Sequence, residues 1–178
     1  TAYEIRLSLV GSEMCIRDSF KTYLSIALDR PANDIQGMVI GGHGDTTMIP
    51  LTRIASYNGA PVSEYLNKTT LDKVAADTMV GGATLTKLLG TSAWYAPGAS
   101  VAYLVDSILN DQKRIIPCSV LLEGEYGLED ICIGVPCIIG SNGIESIIDV
   151  KLDEKENQQM IESAKKVRTM NTALKDIL

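Results

Sequence analysis

A chain of 178 residues, 46% hydrophobic and 21% charged, has the size and make-up of one globular domain with a substantial core. Sixteen Lys and Arg against 22 Asp and Glu leave a net charge of −6 with no basic stripe, which argues against nucleic acid as a partner. No apolar run reaches the roughly 18 residues that span a membrane, and the first residues lack the basic start and apolar block of a signal peptide.

Residues 1–18 offer neither a clean helical face nor a bounded strand. From Ser19, a possible cap, Phe20, Tyr23, Leu24, Ala27 and Leu28 recur at helical spacing until Asp29-Arg30-Pro31 stops the run. "IQGMVIGG" reads as a short buried strand running into a glycine turn that presents His43, the sole histidine. Alternation in "LTRIASY", then Asn58-Gly59 and "APV", predicts a hairpin. Thr69 with Asp72 predicts a capping box, and apolar spacing continues to Leu89 with Gly81-Gly82 as a kink or close-packing point. A second helix is expected from near Pro97 to Asn110. Strands follow in "RIIPCSVLLEG" and "DICIGVPCIIG", and Asn142-Gly143 turns into "IESIIDVKL". The last segment, capped by Asp153, places Met160, Ile161, Ala164, Val167, Leu174 and Ile177 on one helical face. Helices and hairpins come in blocks rather than in strict alternation, which predicts an α+β domain on antiparallel strands.

Cys15, Cys118, Cys132 and Cys137 form no C-x-x-C pair, and with one histidine they make no familiar zinc site, so no metal is expected. Cys118, Cys132 and Cys137 lie in apolar runs and read as buried thiols rather than disulfides, as suits a cytoplasmic protein. Neither "GGATLTK" nor "GSNG" has the form of a phosphate-cradling loop, and no G-x-S-x-G elbow supports a hydrolytic triad. A single histidine in a glycine turn is more often structural than catalytic. Two features favour chemistry here: flanking glycines let a substrate come close, and an imidazole exchanges protons near neutrality. Asp45 can orient His43, yet a carboxylate two residues along a tight turn usually bonds its own backbone, and that role is expected.

"MVIGGHGDTTMIPLTR", "YNGAPVSEYL", "LLGTSAWYAPGAS" and the strands around "CSVLLEGEYG" and "IGVPCIIGSNGIE" together resemble the C-terminal half of the lactate/malate dehydrogenase family, over residues 20–178. "GGHGDTTMIP" tilts the likeness toward the malate-using bacterial members. Members join a nucleotide-binding Rossmann domain to an α+β substrate domain, so the resemblance implies the second domain without the first. It implies malate and oxaloacetate as the substrate pair and NAD as the cofactor, bound by residues outside this chain. It also implies a homo-oligomer for the intact enzyme. For His43 it implies a catalytic role, taking the hydroxyl proton of a 2-hydroxy acid while hydride passes to the nicotinamide, and for Ala93 a place beside the substrate. The family's Asp-x-x-Arg, which orients the histidine and grips the substrate carboxylate, is missing: its two places before Phe20 hold Ile16 and Ser19. Arg17 and Asp18 are close by, but two positions on a helix turn a side chain by roughly 200°.

"YEIRLSLVGSEMCIRDS" resembles translated sequencing-adapter read-through, so residues 1–19 are expected to be a non-native head on a truncated gene. Without its orienting Asp, carboxylate clamp and cofactor domain, the chain alone is expected to be inactive. A lactate or other 2-hydroxy-acid dehydrogenase, or a non-catalytic interaction domain of the same fold, are the alternatives.

Overall fold

In the computed structural model, which describes residues 12–175, the chain runs α1 (Ser12–Leu28), β1 (Ile35–Gln36), β2 (Val39–Gly41), β3 (Met48–Pro50), β4 (Ser56–Tyr57), β5 (Ala60–Pro61), α2 (Lys68–Leu89), α3 (Tyr95–Leu109), β6 (Arg114–Glu123), β7 (Glu129–Gly140), β8 (Gly143–Ile147) and α4 (Glu154–Lys175). The strands form a small sheet, β1-β4-β5, and a larger one, β3-β2-β7-β6, with β8 also on β7. Every described pairing is antiparallel, which is the α+β class expected.

The first helix differs from expectation. It begins at Ser12 rather than Ser19, and the Ser19 hydroxyl, far from capping, donates to the Cys15 carbonyl inside the helix. Ile16, Phe20 and Leu24 stand four residues apart and are all buried, so the apolar face reaches back into the segment that looked faceless; Met14 is buried as well. Residues 1–11 lie outside the described residues. As expected, α1 ends at Leu28, where Asp29 takes the left-handed conformation with φ of 53°.

"IQGMVIGG" forms two strands, not one, because the backbone breaks at Gly37 to let the Phe20 ring in: a Cβ on Gly37 would lie 2.8 Å from Phe20 Cδ1. "LTRIASY" also departs from the expected strand, for Thr52–Ile54 is a 3-10 turn and pairing starts only at Ser56. The Asn58-Gly59 hairpin forms as predicted, both residues having positive φ. In α2 the cap is Asn67, whose side chain accepts from the Thr70 amide, and the Thr69 box does not form. Gly81 causes no kink; it lets Tyr23 of α1 pack against α2. The next helix starts at Tyr95, with Pro97 in its first turn, where a missing N–H costs nothing.

Strand β7 is the spine of the larger sheet. One edge pairs with β6 from Arg114 opposite Ile139 to Glu123 opposite Glu129; the other takes β2 at Gly134 and β8 from Cys137 to Gly140. Pro136 falls between those two partners, where its carbonyl accepts from Ile148 and no donor is required of it. Alternation buries Ile131 and Ile133 and turns Cys132 outward, so Cys132 is exposed, against expectation. Cys118 and Cys137 are buried, and among the described residues no disulfide forms.

Two cores result. One gathers β6, β7, Ile40, Ile49 and α4; the other gathers α1, Val39, Met48, Ala55, Val62 and Val74. The β2–β3 hairpin lies between them and serves both, Ile40 and Ile49 on one face, Val39 and Met48 on the other. On α4, Asp153 caps as predicted in a reciprocal box: its carboxylate accepts from the Glu156 amide at 2.8 Å, and Glu156 accepts from the Asp153 amide at 2.9 Å. Met160, Ala164 and Val167 pack inward, whereas Ile161, about 100° around the helix from Met160, is exposed. The Leu174 side chain and Ile177 lie outside what is described.

Between β6 and β7 the Tyr126 hydroxyl donates to the Ile148 carbonyl at 2.6 Å and accepts from the Val150 amide at 3.0 Å, tying the β8–α4 connection to the sheet. Burial pushes this hydroxyl from 10.0 up to about 12. The folded state therefore holds the proton more tightly than the unfolded one, so the stability gained is full below the unfolded value and is lost as pH rises through about 12. Tyr126→Phe is expected to cost about 1–3 kcal/mol by stranding both partners. Thermal unfolding against pH checks this: the variant should melt lower at neutral pH and decline less on the alkaline side.

Candidate functional site

His43 sits in the six residues, 42–47, that join β2 to β3, and its side chain is exposed. The turn is closed from within by Thr47. Its hydroxyl accepts from the Gly44 amide at 2.8 Å and donates to the Gly44 carbonyl at 2.9 Å, while its amide donates to the same carbonyl at 2.8 Å. The Gly42 amide reaches the Thr47 carbonyl at 3.1 Å across the neck. The expectation for Asp45 fails here: among the described residues no side-chain hydrogen bond joins Asp45 to its backbone or to His43. Thr47 holds that place instead, because a threonine three residues after a glycine can both give and accept across the turn.

From outside, the turn is closed by α4. The buried Ser163 hydroxyl accepts from the Gly42 amide at 2.9 Å and donates to the Thr47 carbonyl at 2.8 Å. One helical turn on, the Lys166 ammonium donates to the Thr46 carbonyl at 2.9 Å. This approach explains two glycines. Gly41 has φ of 93°, and a Cβ there would crowd the Thr47 carbonyl and lie 3.1 Å from Ser163 Oγ. A Cβ on Gly42 would lie 2.8 Å from Thr47 Oγ1 and 3.0 Å from Val167 Cγ2. At the far end of β3, Arg53 donates to Glu156 at 2.9 Å and to the Lys151 carbonyl at 2.7 Å. The Glu156 hydrogen bond, with the charges of Glu156 and Asp153, holds the Arg53 guanidinium above its ordinary value against the opposing effect of burial. The hairpin is thus fastened to α4 on both sides of β3. Sequence reasoning passed over Thr47, Ser163 and Lys166; the available signal was a serine on the apolar stripe of a helix, since a polar group buried there needs a partner.

The residues in the two places of the missing Asp-x-x-Arg have other roles. Ile16 is core, Ser19 bonds within α1, and Arg17 bonds Asp18 at 3.0 Å while its guanidinium lies 5.5 Å from the centre of the Tyr103 ring. Ala93 is half-buried in the connection between α2 and α3, and no described hydrogen bond links that connection to the His43 turn. Two clefts, one lined by Ala27, Leu28, Arg30, Tyr57, Tyr65 and Leu66, the other by Asp153, Glu154, Lys155 and Gln158, include neither His43 nor Ala93.

A dinucleotide does not fit the residues present. In the glycine turn after β2 the Gly42 and Gly44 amides, the groups that would cradle a phosphate, are already spent on Thr47 and Ser163, and in "GSNG" after β7 the Ser141 amide is spent on Asp111. Among the described residues no group of His, Cys, Asp and Glu is arranged to hold a metal. No helix among them is long and apolar enough to cross a membrane.

Helix α3 buries Ser100 and Ser107, while Val101, Val105 and Leu109, at i, i+4 and i+8, share one exposed face. Leu88 of α2 and Tyr95 at the start of α3 are 79% and 96% exposed.

The sequence profile of the lactate/malate dehydrogenase alpha/beta C-terminal domain matches residues 18–176. The chain is 74% identical over 159 residues to a malate dehydrogenase of Flavobacterium frigidimaris, covering 89% of this chain and 51% of that protein. It is 63% identical over 158 residues to one of Bacteroides thetaiotaomicron, covering 89% and 50%. Among solved structures it is similar to malate dehydrogenase from Salinibacter ruber, with a TM-score of 0.87, 38% identity and coverage of 92% and 54%. It is also similar to lactate dehydrogenase from Eimeria maxima with NADH and oxamate, with a TM-score of 0.88, 36% identity and coverage of 93% and 53%. The chain therefore spans about half the length of the curated relatives it matches.

Proposed function

We propose that this chain, which belongs to the lactate/malate dehydrogenase family as its alpha/beta C-terminal domain, is the substrate half of a malate dehydrogenase in which His43 moves the proton. In malate oxidation the imidazole takes the hydroxyl proton, and in oxaloacetate reduction it returns a proton to the carbonyl oxygen. The observation that carries this is an exposed imidazole on a turn whose backbone is pinned by buried hydrogen bonds. A general base gains most when its position is fixed before the substrate arrives. Identities of 74% and 63% to malate dehydrogenases favour malate over lactate, although the fold suits both. Ala93 is the candidate for lining the substrate.

NAD supplies the hydride chemistry when bound. With the glycine-turn amides occupied, its site is assigned to the part of the full-length protein beyond this chain. The outward apolar face of α2 and α3 is read as surface that this remaining part, or a second subunit of a homo-oligomer, covers. A cytoplasmic location suits buried thiols at Cys118 and Cys137 without disulfides among the described residues. Residues 1–19 are read as a non-native head on the strength of their adapter-like string; Ile16, at helical spacing from Phe20 and Leu24, suits burial whatever its origin.

Three tests follow the three parts of the proposal. Joined at Phe20 to the N-terminal half of the Flavobacterium frigidimaris relative, residues 20–178 should oxidise NADH in response to oxaloacetate. His43→Asn should lower kcat/KM roughly 10²- to 10⁴-fold, and a variant as fast as its parent contradicts the assignment. Alone, the 178-residue chain should show no turnover and sediment as self-associated species; a monomer with a cooperative melt or measurable turnover goes against it. Sequencing the source locus across the Ser19 and Phe20 codons should reveal an Asp-x-x-Arg ahead of Phe20, whereas codons for residues 1–19 in native DNA overturn the head reading.

A further inference from the structure

We infer that Ser163, supported by Lys166 and Val167, is a positioning residue for His43: this face of α4 sets the conformation of the turn that carries the imidazole. The inference rests on the proposed role of His43 but is carried by different observations. Ser163, Lys166 and Val167 stand at i, i+3 and i+4 and so share one helix face. Each meets a different part of the turn. Ser163 spans its neck, from the Gly42 amide to the Thr47 carbonyl. Lys166 holds the Thr46 carbonyl, and Val167 fills the space that a Gly42 side chain would take. His43 follows Gly42 directly, so the peptide unit that donates to Ser163 is joined to the one that sets the direction of the imidazole.

Ser163 is suited to this by chemistry as well as by place. A hydroxyl both accepts and donates, and here it does each once with backbone groups at opposite ends of the turn. It is buried, at 2% exposure, so water does not readily replace it. Alanine would leave the Gly42 amide only its 3.1 Å bond to the Thr47 carbonyl. The helix itself is held independently, by the Asp153 and Glu156 box with Arg53 and by Arg168, which donates to the Glu129 and Asp130 carbonyls at the start of β7. Loss of the hydroxyl should therefore free the turn without undocking α4.

Hydrogen exchange on the full 178-residue chain tests the latch. In Ser163→Ala the amides of residues 42–48 should exchange about 10-fold faster, as expected from losing two buried hydrogen bonds, while β6 and β7 keep the parent rate. Ser163→Thr, which retains the hydroxyl, should stay near the parent, and Lys166→Met, at an exposed site that leaves the core intact, should quicken the turn about threefold. The inference is overturned if alanine leaves residues 42–48 unchanged, if the acceleration extends equally to β6 and β7, or if threonine behaves as alanine does. In the joined full-length protein the same alanine should lower kcat about 10-fold with KM within twofold, and a change confined to KM counts against positioning. Should the joined parent prove inactive, the dehydrogenase reading fails, and the exchange result still decides the latch.

Discussion

Gly41 pairs with Gly134 of β7, and on this contact the position of His43 depends. Strand β7 is paired along ten residues of ladder with β6 on one edge and with β8 on the other, so its backbone is held from both sides. The β2–β3 hairpin is short, three residues a side, and two-stranded hairpins of that size are not stable alone. It borrows rigidity from β7 through Gly41 and from two cores, one against each face. Glycine at position 41 is a condition of this arrangement, since the pairing needs positive φ and the Thr47 carbonyl occupies the place of a side chain.

The rest of the hairpin's support comes from the far end of the chain. Helix α4 grips it before β3 through Ser163 and Lys166 and after β3 through Arg53 and Glu156, residues more than 100 positions apart in sequence. The result is an exposed side chain on a backbone with little freedom. Proton transfer as proposed for His43 asks for that combination, since a base must be reachable yet already aimed. Elsewhere on the molecule, Leu88 of α2 and Val101, Val105 and Leu109 of α3 leave apolar surface exposed.

Much of the fold was legible because its signals are local. The β6 and β7 runs, the Asn58-Gly59 hairpin and the Asp153 cap each carry their own periodicity or turn chemistry, and each forms where the sequence places it. The cap of α2 was misplaced by two residues because Asn67 and Thr69 are both good cap residues, and it is Asn67 whose side chain accepts from the Thr70 amide. The start of α1 was missed for a different reason: within the head only Ile16 continues the four-residue spacing of Phe20 and Leu24, and one residue does not set a period. At the candidate site His43 was legible from its glycines and from resemblance, whereas Ser163 and Thr47 were not. Their roles exist only once α4 and the turn have met, and no window of sequence contains both.

The most direct measurement of the central claim, that the imidazole on this fastened turn meets the substrate, is the NMR spectrum of its ring in the joined full-length protein. The signals that vanish in His43→Asn identify it, and a titration with oxaloacetate in the presence of oxidised NAD, a mixture without a hydride source, avoids turnover. The account predicts that these signals shift and saturate with oxaloacetate; ring signals that stay in place while oxaloacetate binds would contradict it.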